Sequence, residues 1–149
     1  WITTPYFIPD PVILAALQTA VFRGIDVRII VPQCGDYWIV TWAGRSFYPE
    51  LLRAGVRLFE YGPGFLHSKT VLIDQDLSII GSANLDIRSF RLNFEVSCFM
   101  RSVEFATDLA RLFDRYLQDS HELSLAEIES RPYWIRLGEA AVHLLSPVL

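Results

Sequence analysis

Residues 1–32 read as strand, helix and strand, and each boundary carries its own chemical mark. Trp1-Ile2-Thr3-Thr4 has the β-branched character of a strand. Asp10-Pro11 supplies a helix N-cap followed by proline at the first helical position, where no N–H is needed. Ile13, Leu14, Leu17, Ala20 and Val21 then recur at helical spacing, and Gly24 closes the helix. Residues 26–31 (DVRIIV) form a β-branched run stopped by Pro32. Two strands joined through a helix pair in parallel, because only a crossover brings the second strand back in the same direction.

The same punctuation continues. Residues 36–54 are expected to be helical in two pieces, interrupted near Gly44 and ended by Gly55. Residues 56–61 make a strand and Gly62-Pro63-Gly64 a loop. Residues 67–73 and 77–80 alternate as a hairpin, and 95–99 add another strand. Ser102 caps a helix to about Gln118, with Ala106, Leu109, Ala110, Phe113 and Leu117 on one face. The fold class is therefore α/β, a mixed sheet covered by helices. Residues 1–120 are expected to form the main domain and 121–149 a helical tail.

Composition narrows the function classes. The 149 residues suffice for one core. The chain opens on Trp1, already strand-like, so a fragment of a longer protein is expected. The apolar fraction of 52% and mean hydropathy of +0.29 are high, yet no run of about 18 apolar residues suited to spanning a bilayer is present. A net charge of −4 weighs against nucleic acid as a partner. Cys34 and Cys98 lack metal-ligand or redox spacing. Cys98, in an apolar run, is expected to be a packed core thiol, and no disulfide is needed.

The chemistry concentrates in His67-Ser68-Lys69-Thr70-Val71-Leu72-Ile73-Asp74 and, six residues later, Gly81-Ser82-Ala83-Asn84. His67 and Lys69 share one face if extended. A two-residue loop at Gln75-Asp76 would pair Asp74 with Leu77, Lys69 with Ser82 and His67 with Asn84, gathering four polar side chains. The loop lacks the favoured Asn-Gly or Asp-Gly pair, so the register is an expectation; pairing of His67 with Ala83 would refute it. Such a patch suits a phosphodiester. A neutral imidazole attacks phosphorus, an imidazolium protonates the departing alcohol, and lysine and amide donors offset the developing charge. Glu95, on the following strand, is the candidate carboxylate behind the imidazole. No cofactor or metal is required. Taken singly, each residue has a plain structural reading; the joint spacing carries the weight.

The run His67-x-Lys69-x4-Asp74-x6-Gly81-Ser82-x-Asn84 resembles the HKD signature of the phospholipase D superfamily, with six fixed positions between residues 67 and 84. Resemblance to bacterial cardiolipin synthases extends over nearly the whole chain. It includes Thr4-Pro5-Tyr6-Phe7-Ile8-Pro9-Asp10, Arg45-Ser46-Phe47-Tyr48, Gly64-Phe65-Leu66-His67 and residues 84–95. The resemblance implies half of a two-domain pseudo-dimer, here the C-terminal half. It implies His67, Lys69, Ser82 and Asn84 around the phosphate, Glu95 orienting His67, and Asp74 as a structural member. It further implies a phosphatidyltransferase, making cardiolipin and glycerol from two phosphatidylglycerol molecules through a phosphohistidine. Because the first-half histidine is generally the nucleophile in such enzymes, His67 would be the general acid/base. The implied partners are phosphatidylglycerol, the membrane surface and an N-terminal half with the second signature, at the bacterial cytoplasmic membrane. A hydrolase acting on phospholipid or nucleic acid, and a non-catalytic interaction domain, are the alternatives.

Weaker candidates remain. His121 and His143 read as surface residues, and Asp74, Asp76 and Asp86 lack clear metal geometry. Arg88 and Arg91 would either steer an anionic headgroup or be ordinary solvated arginines. Trp38 and Trp42 share a helical face and are expected to pack in the core, with a lipid-facing rim near the site as the alternative. Trp134, Ile135, Leu137, Ala141, Leu144 and Leu145 form an amphipathic stripe suited to the domain, a partner half or a membrane interface.

Overall fold

The computed structural model describes residues 1–144; Leu145 of the tail stripe lies outside them. The opening unit is β1 (Ile2–Thr3), β2 (Phe7–Ile8), α1 (Pro11–Phe22) and β3 (Arg28–Pro32). Asp10 caps α1 through its carboxylate, which accepts from the Ile13 N–H at 2.9 Å. β1 and β3 pair in parallel, Ile2 opposite Ile29. Two helices follow, α2 (Trp38–Arg45) and α3 (Tyr48–Ala54), then β4 (Arg57–Tyr61). The break falls at Ser46-Phe47, after Gly44. Gly44 lies inside α2 because the helix rests on β2, where a β-carbon would stand 2.8 Å from the Phe7 carbonyl oxygen.

The chain then forms β5 (Thr70–Ile73), β6 (Leu77–Gly81), β7 (Leu85–Asp86), α4 (Ile87–Arg91), β8 (Ser97–Arg101) and α5 (Val103–Gln118). Ser102 caps α5 through the Phe105 N–H. β9 (Ser120–Glu122), α6 (Leu125–Ser130) and α7 (Tyr133–His143) complete the order. The main sheet runs β8-β6-β5-β1-β3-β4-β9, mixed in direction, and β2 pairs with β7 in a small parallel sheet.

Two cores lie on opposite faces of the sheet. Ile2, Ile29, Val31 and Leu58 pack beneath Leu17, Ala43, Leu51 and Ile128. Ile30, Phe59 and Leu72 pack against Ala106, Leu109 and Phe113 of α5. The apolar face expected on α5 is thus the buried one.

The boundary expected at residue 120 falls inside β9, which pairs antiparallel with β4. Leu123 and Ile128 are buried in the same core as the parallel strands. Residues 121–143 are therefore built into the sheet and its helical layer. α7 turns Ile135, Gly138, Glu139 and Val142 inward, whereas Trp134, Leu137 and Leu144 are exposed. Gly138 is needed there because a β-carbon would stand 2.6 Å from the Trp42 ring. Buried Glu139 is balanced by Arg131 at 3.2 Å.

Two further expectations are corrected. Cys98 is exposed, because β8 is the sheet's edge strand with both neighbouring faces largely uncovered. Trp38 is 66% exposed and meets the half-buried Trp42 edge-on at 5.7 Å, so neither is a fully buried core residue.

A shared core has a measurable consequence. Ile128→Ala should cost about 2–5 kcal/mol and lower hydrogen-exchange protection in β4 as well as α6. Unchanged protection in β4 would mean that the tail folds apart from the sheet.

Candidate active site

The hairpin carrying the signature is one residue out of the expected register. Ile73 pairs with Leu77, Val71 with Ile79 and Thr70 with Ile80. The loop is Asp74-Gln75-Asp76, and Asp74 takes the left-handed conformation at φ 53°. An Asp tolerates that conformation better than a β-branched neighbour, which explains the longer loop. Lys69 stands opposite Gly81, whose N–H donates to the Lys69 carbonyl at 3.2 Å. Continued as strands, this pairing would bring His67 to Ala83 and put Ser82 and Asn84 on the other face. The strand instead ends at Gly81 and the chain bends away, so Lys69 and Asn84 line one cavity after all.

Gly81 is fixed by contact. A β-carbon there would lie 2.5 Å from the Val96 carbonyl oxygen and 2.7 Å from Ser97 Oγ. The close crossing brings the strand that enters β8 against the end of β6. Ser82 completes the junction: its N–H donates to the Val96 carbonyl at 2.9 Å, and its hydroxyl accepts from the Val96 N–H at 3.0 Å. The same hydroxyl donates to Glu95. In this arrangement Ser82 anchors Glu95.

His67 is exposed, with its ring 5.4 Å from that of Phe65. Lys69 Nζ lies 3.1 Å from its Nε2 and 3.3 Å from its Nδ1, and also donates to the His67 carbonyl. The expected direct contact between Glu95 and His67 is not among the described hydrogen bonds. Glu95 accepts from Ser82 and, at 3.2 Å, from Asn93 Nδ2. Those bonds, Ser82 foremost, hold its carboxyl below the usual carboxylate range, and Lys69 assists. In turn, burial pulls the Lys69 ammonium below an ordinary lysine, opposed by the charges of Glu95 and Asp86.

Asn84 is positioned by Asp86, considered in the sequence only as a metal candidate, and by Ser89. Its Nδ2 donates to Asp86 at 3.2 Å and its N–H to Ser89 Oγ at 3.1 Å. Asp86 is buried and caps α4 through the Ser89 N–H at 2.6 Å. Thr4 Oγ1 receives the Leu85 N–H at 3.1 Å. Asp86-x-x-Ser89 before a short helix was the available signal, a cap whose residues also hold a site amide. Among the described residues Asn84 Oδ1 is buried without a partner, and such an acceptor costs about 1–3 kcal/mol.

The weaker candidates divide. Arg91 pairs with Asp10 at 3.3 Å, and Asp76 holds Arg101 at 2.9 Å. His121 binds Glu127 at 2.8 Å, and His143 bonds Ser46 and packs on Phe47. Among the described residues, no group of three or more His, Cys, Asp or Glu is arranged to hold a metal ion.

The Lys69 environment fixes the sign of a pH effect. A lysine pKa lowered by burial loses its charge as pH rises, at a pH below the ordinary 10.5. Phosphate affinity supplied by that charge should fall over the same range. In the full-length parent, Lys69→Arg should move the alkaline limb of kcat/KM upward, because guanidinium does not titrate there. An unmoved limb would assign the titration to another group.

The chain matches the family model described as cardiolipin synthase, PLD-like domain, over residues 1–117. Cardiolipin synthase 2 of Bacillus anthracis is 48% identical over 149 residues, covering 100% of this chain and 29% of that protein. Cardiolipin synthase of Halalkalibacterium halodurans is 46% identical over 149 residues, covering 100% of this chain and 30% of that protein. The chain thus spans well under half the length of these relatives. Among solved structures, phosphatidylserine synthase of Haemophilus influenzae superposes with a TM-score of 0.80 at 19% identity, covering 99% of this chain and 41% of that one. Nuc, a phospholipase D family member from Salmonella typhimurium, gives 0.72 at 19% identity, covering 83% and 80%. The structural likenesses speak to the fold; with the sequence match, they place this chain in the cardiolipin synthase PLD-like domain family.

Proposed function

We propose that this chain is one catalytic half of a phosphatidyltransferase that makes cardiolipin and glycerol from two phosphatidylglycerol molecules. The observation that carries the reading is the meeting of the His67 imidazole and Lys69 ammonium, with Glu95 close enough to influence the lysine's charge. A histidine of the other half attacks phosphorus and forms a phosphohistidine while the P–O bond to glycerol breaks. His67 gives its proton to the departing glycerol oxygen. It then takes a proton from the hydroxyl of the second phosphatidylglycerol, whose oxygen displaces the histidine. Lys69 and the Asn84 amide offset charge on the non-bridging oxygens. Glu95 acts through Ser82 and Lys69, and Asp74 forms the turn.

The proposed N-terminal half has a surface to meet. Beside the site, Val96 is 74% exposed next to an edge strand, where unpaired backbone and apolar side chains favour association. Membrane contact, and with it a place at the bacterial cytoplasmic membrane, is supported by exposed Trp38, Tyr133, Trp134 and Leu137. No helix among the described residues is long and apolar enough to cross a membrane. A hydrolase would use the same groups with water as acceptor; the apolar cavity beside Lys69 favours a lipid.

The test uses the full-length parent in vesicles with radiolabelled phosphatidylglycerol. Wild type should yield labelled cardiolipin, and His67→Ala should lower the rate roughly 10²–10⁴-fold. Phosphatidic acid alone would indicate a hydrolase, and no lipid turnover would favour a nuclease or a binding domain. The isolated 149-residue chain, as a monomer, should show no useful turnover until the other half is added. Full activity from it alone would contradict a shared site.

A further inference from the structure

An apolar cavity of about 380 Å³ lies between α1 and the exposed side of β5, β6 and β8. Its roof is one face of α1, with Ala16 and Ala20 a turn apart beside Ile13 and Leu17. Its floor includes a row across three strands, since Val71 pairs with Ile79 and Ile79 with Phe99. Packed interiors retain few voids larger than a water molecule. Here two alanines keep the helix off a row of apolar side chains, and the space has the size of a ligand site.

One end of the cavity differs from the rest. Lys69 and Asn84 line it, so a cation and an amide side chain stand at that end. Val71 lies two residues beyond Lys69 on the same face, roughly 7 Å along the strand. Charge at one end and hydrocarbon along the remainder match an amphiphile.

We infer that this cavity holds an acyl chain of the phospholipid whose phosphate rests at Lys69 and Asn84. The inference rests on the phosphatidyl-transfer reading and adds where the lipid tail lies. It makes α1 a determinant of chain length: a longer chain gains contact with Ile79, Phe99 and the alanine face, and a short one does not. The glycerol backbone bridges the polar end and the first apolar residues.

The experiment measures the full-length parent on dioleoyl phosphatidylglycerol in mixed micelles and on soluble dibutyryl phosphatidylglycerol. Ala16→Phe fills the cavity from an accessible helix position, and Ala15→Phe, outside the lining, is the control. Ala16→Phe should lower kcat/KM for the dioleoyl lipid roughly tenfold or more with little change for the dibutyryl one, and Ala15→Phe should leave both near wild type. Equal loss on both substrates, or loss on neither, would overturn the acyl site while leaving phosphatidyl transfer standing. Wild-type enzyme that turns over neither lipid would overturn the functional reading and this inference with it. Photolabelling of wild type with a phosphatidylglycerol carrying a diazirine in its acyl chain gives a check independent of the variants' folding. Adducts at residues 13–20, Ile79 or Phe99 support the site, and adducts confined to other segments contradict it.

Discussion

Ser82 joins two pieces of chain that would otherwise part, and the electrostatics of the site depend on that junction. Its backbone and hydroxyl pair with Val96, and the hydroxyl's proton goes to Glu95. A carboxylate is thereby kept ionised near Lys69, whose charge burial opposes. The balance matters because a neutral lysine offers a phosphate little. Gly81 makes the junction possible, since a side chain there would collide with the Val96 backbone. The Gly-Ser pair of the signature is thus a packing device with an electrostatic result.

The same bend of the chain after Gly81 puts Asn84 beside Lys69 and opens the apolar cavity next to them. Asp86 stabilises this course twice, capping α4 and receiving the Asn84 amide. Next to it, the β8 edge leaves apolar side chains exposed. Polar groups that handle charge, a cavity that suits hydrocarbon and an uncovered edge therefore meet at one end of the sheet. That arrangement suits a reaction on an amphiphile, completed by a second protein surface.

Local chemistry made much of the architecture legible. Caps at Asp10 and Ser102 and the β-branched run before Pro32 placed α1, α5 and β3, because each signal acts within a few residues. The hairpin register failed by one residue because the turn's conformation decided it. Asp74 took the left-handed position that Gln75-Asp76 did not suit. Cys98 was misread, and the surroundings of Trp38 and of the α7 stripe were left open, for a different reason. Periodicity identifies an apolar face, but what covers that face is a tertiary fact. Contact between Ser82 and Glu95, or between Asn84 and Asp86, likewise arises only when strands and caps assemble. The identities of the signature residues were visible in the sequence, whereas the contacts of Glu95 were not.

We propose that His67, Lys69 and Asn84 form half of a phosphate site completed by another histidine-bearing half. The decisive measurement is a crystal structure of the full-length enzyme with tungstate, an oxyanion that stands in for the phosphoryl group. Tungstate should lie within hydrogen-bond distance of His67, Lys69 and Asn84, with the second signature's histidine on its opposite side. Tungstate bound elsewhere, or His67 buried against the other half with no space for an anion, would contradict it.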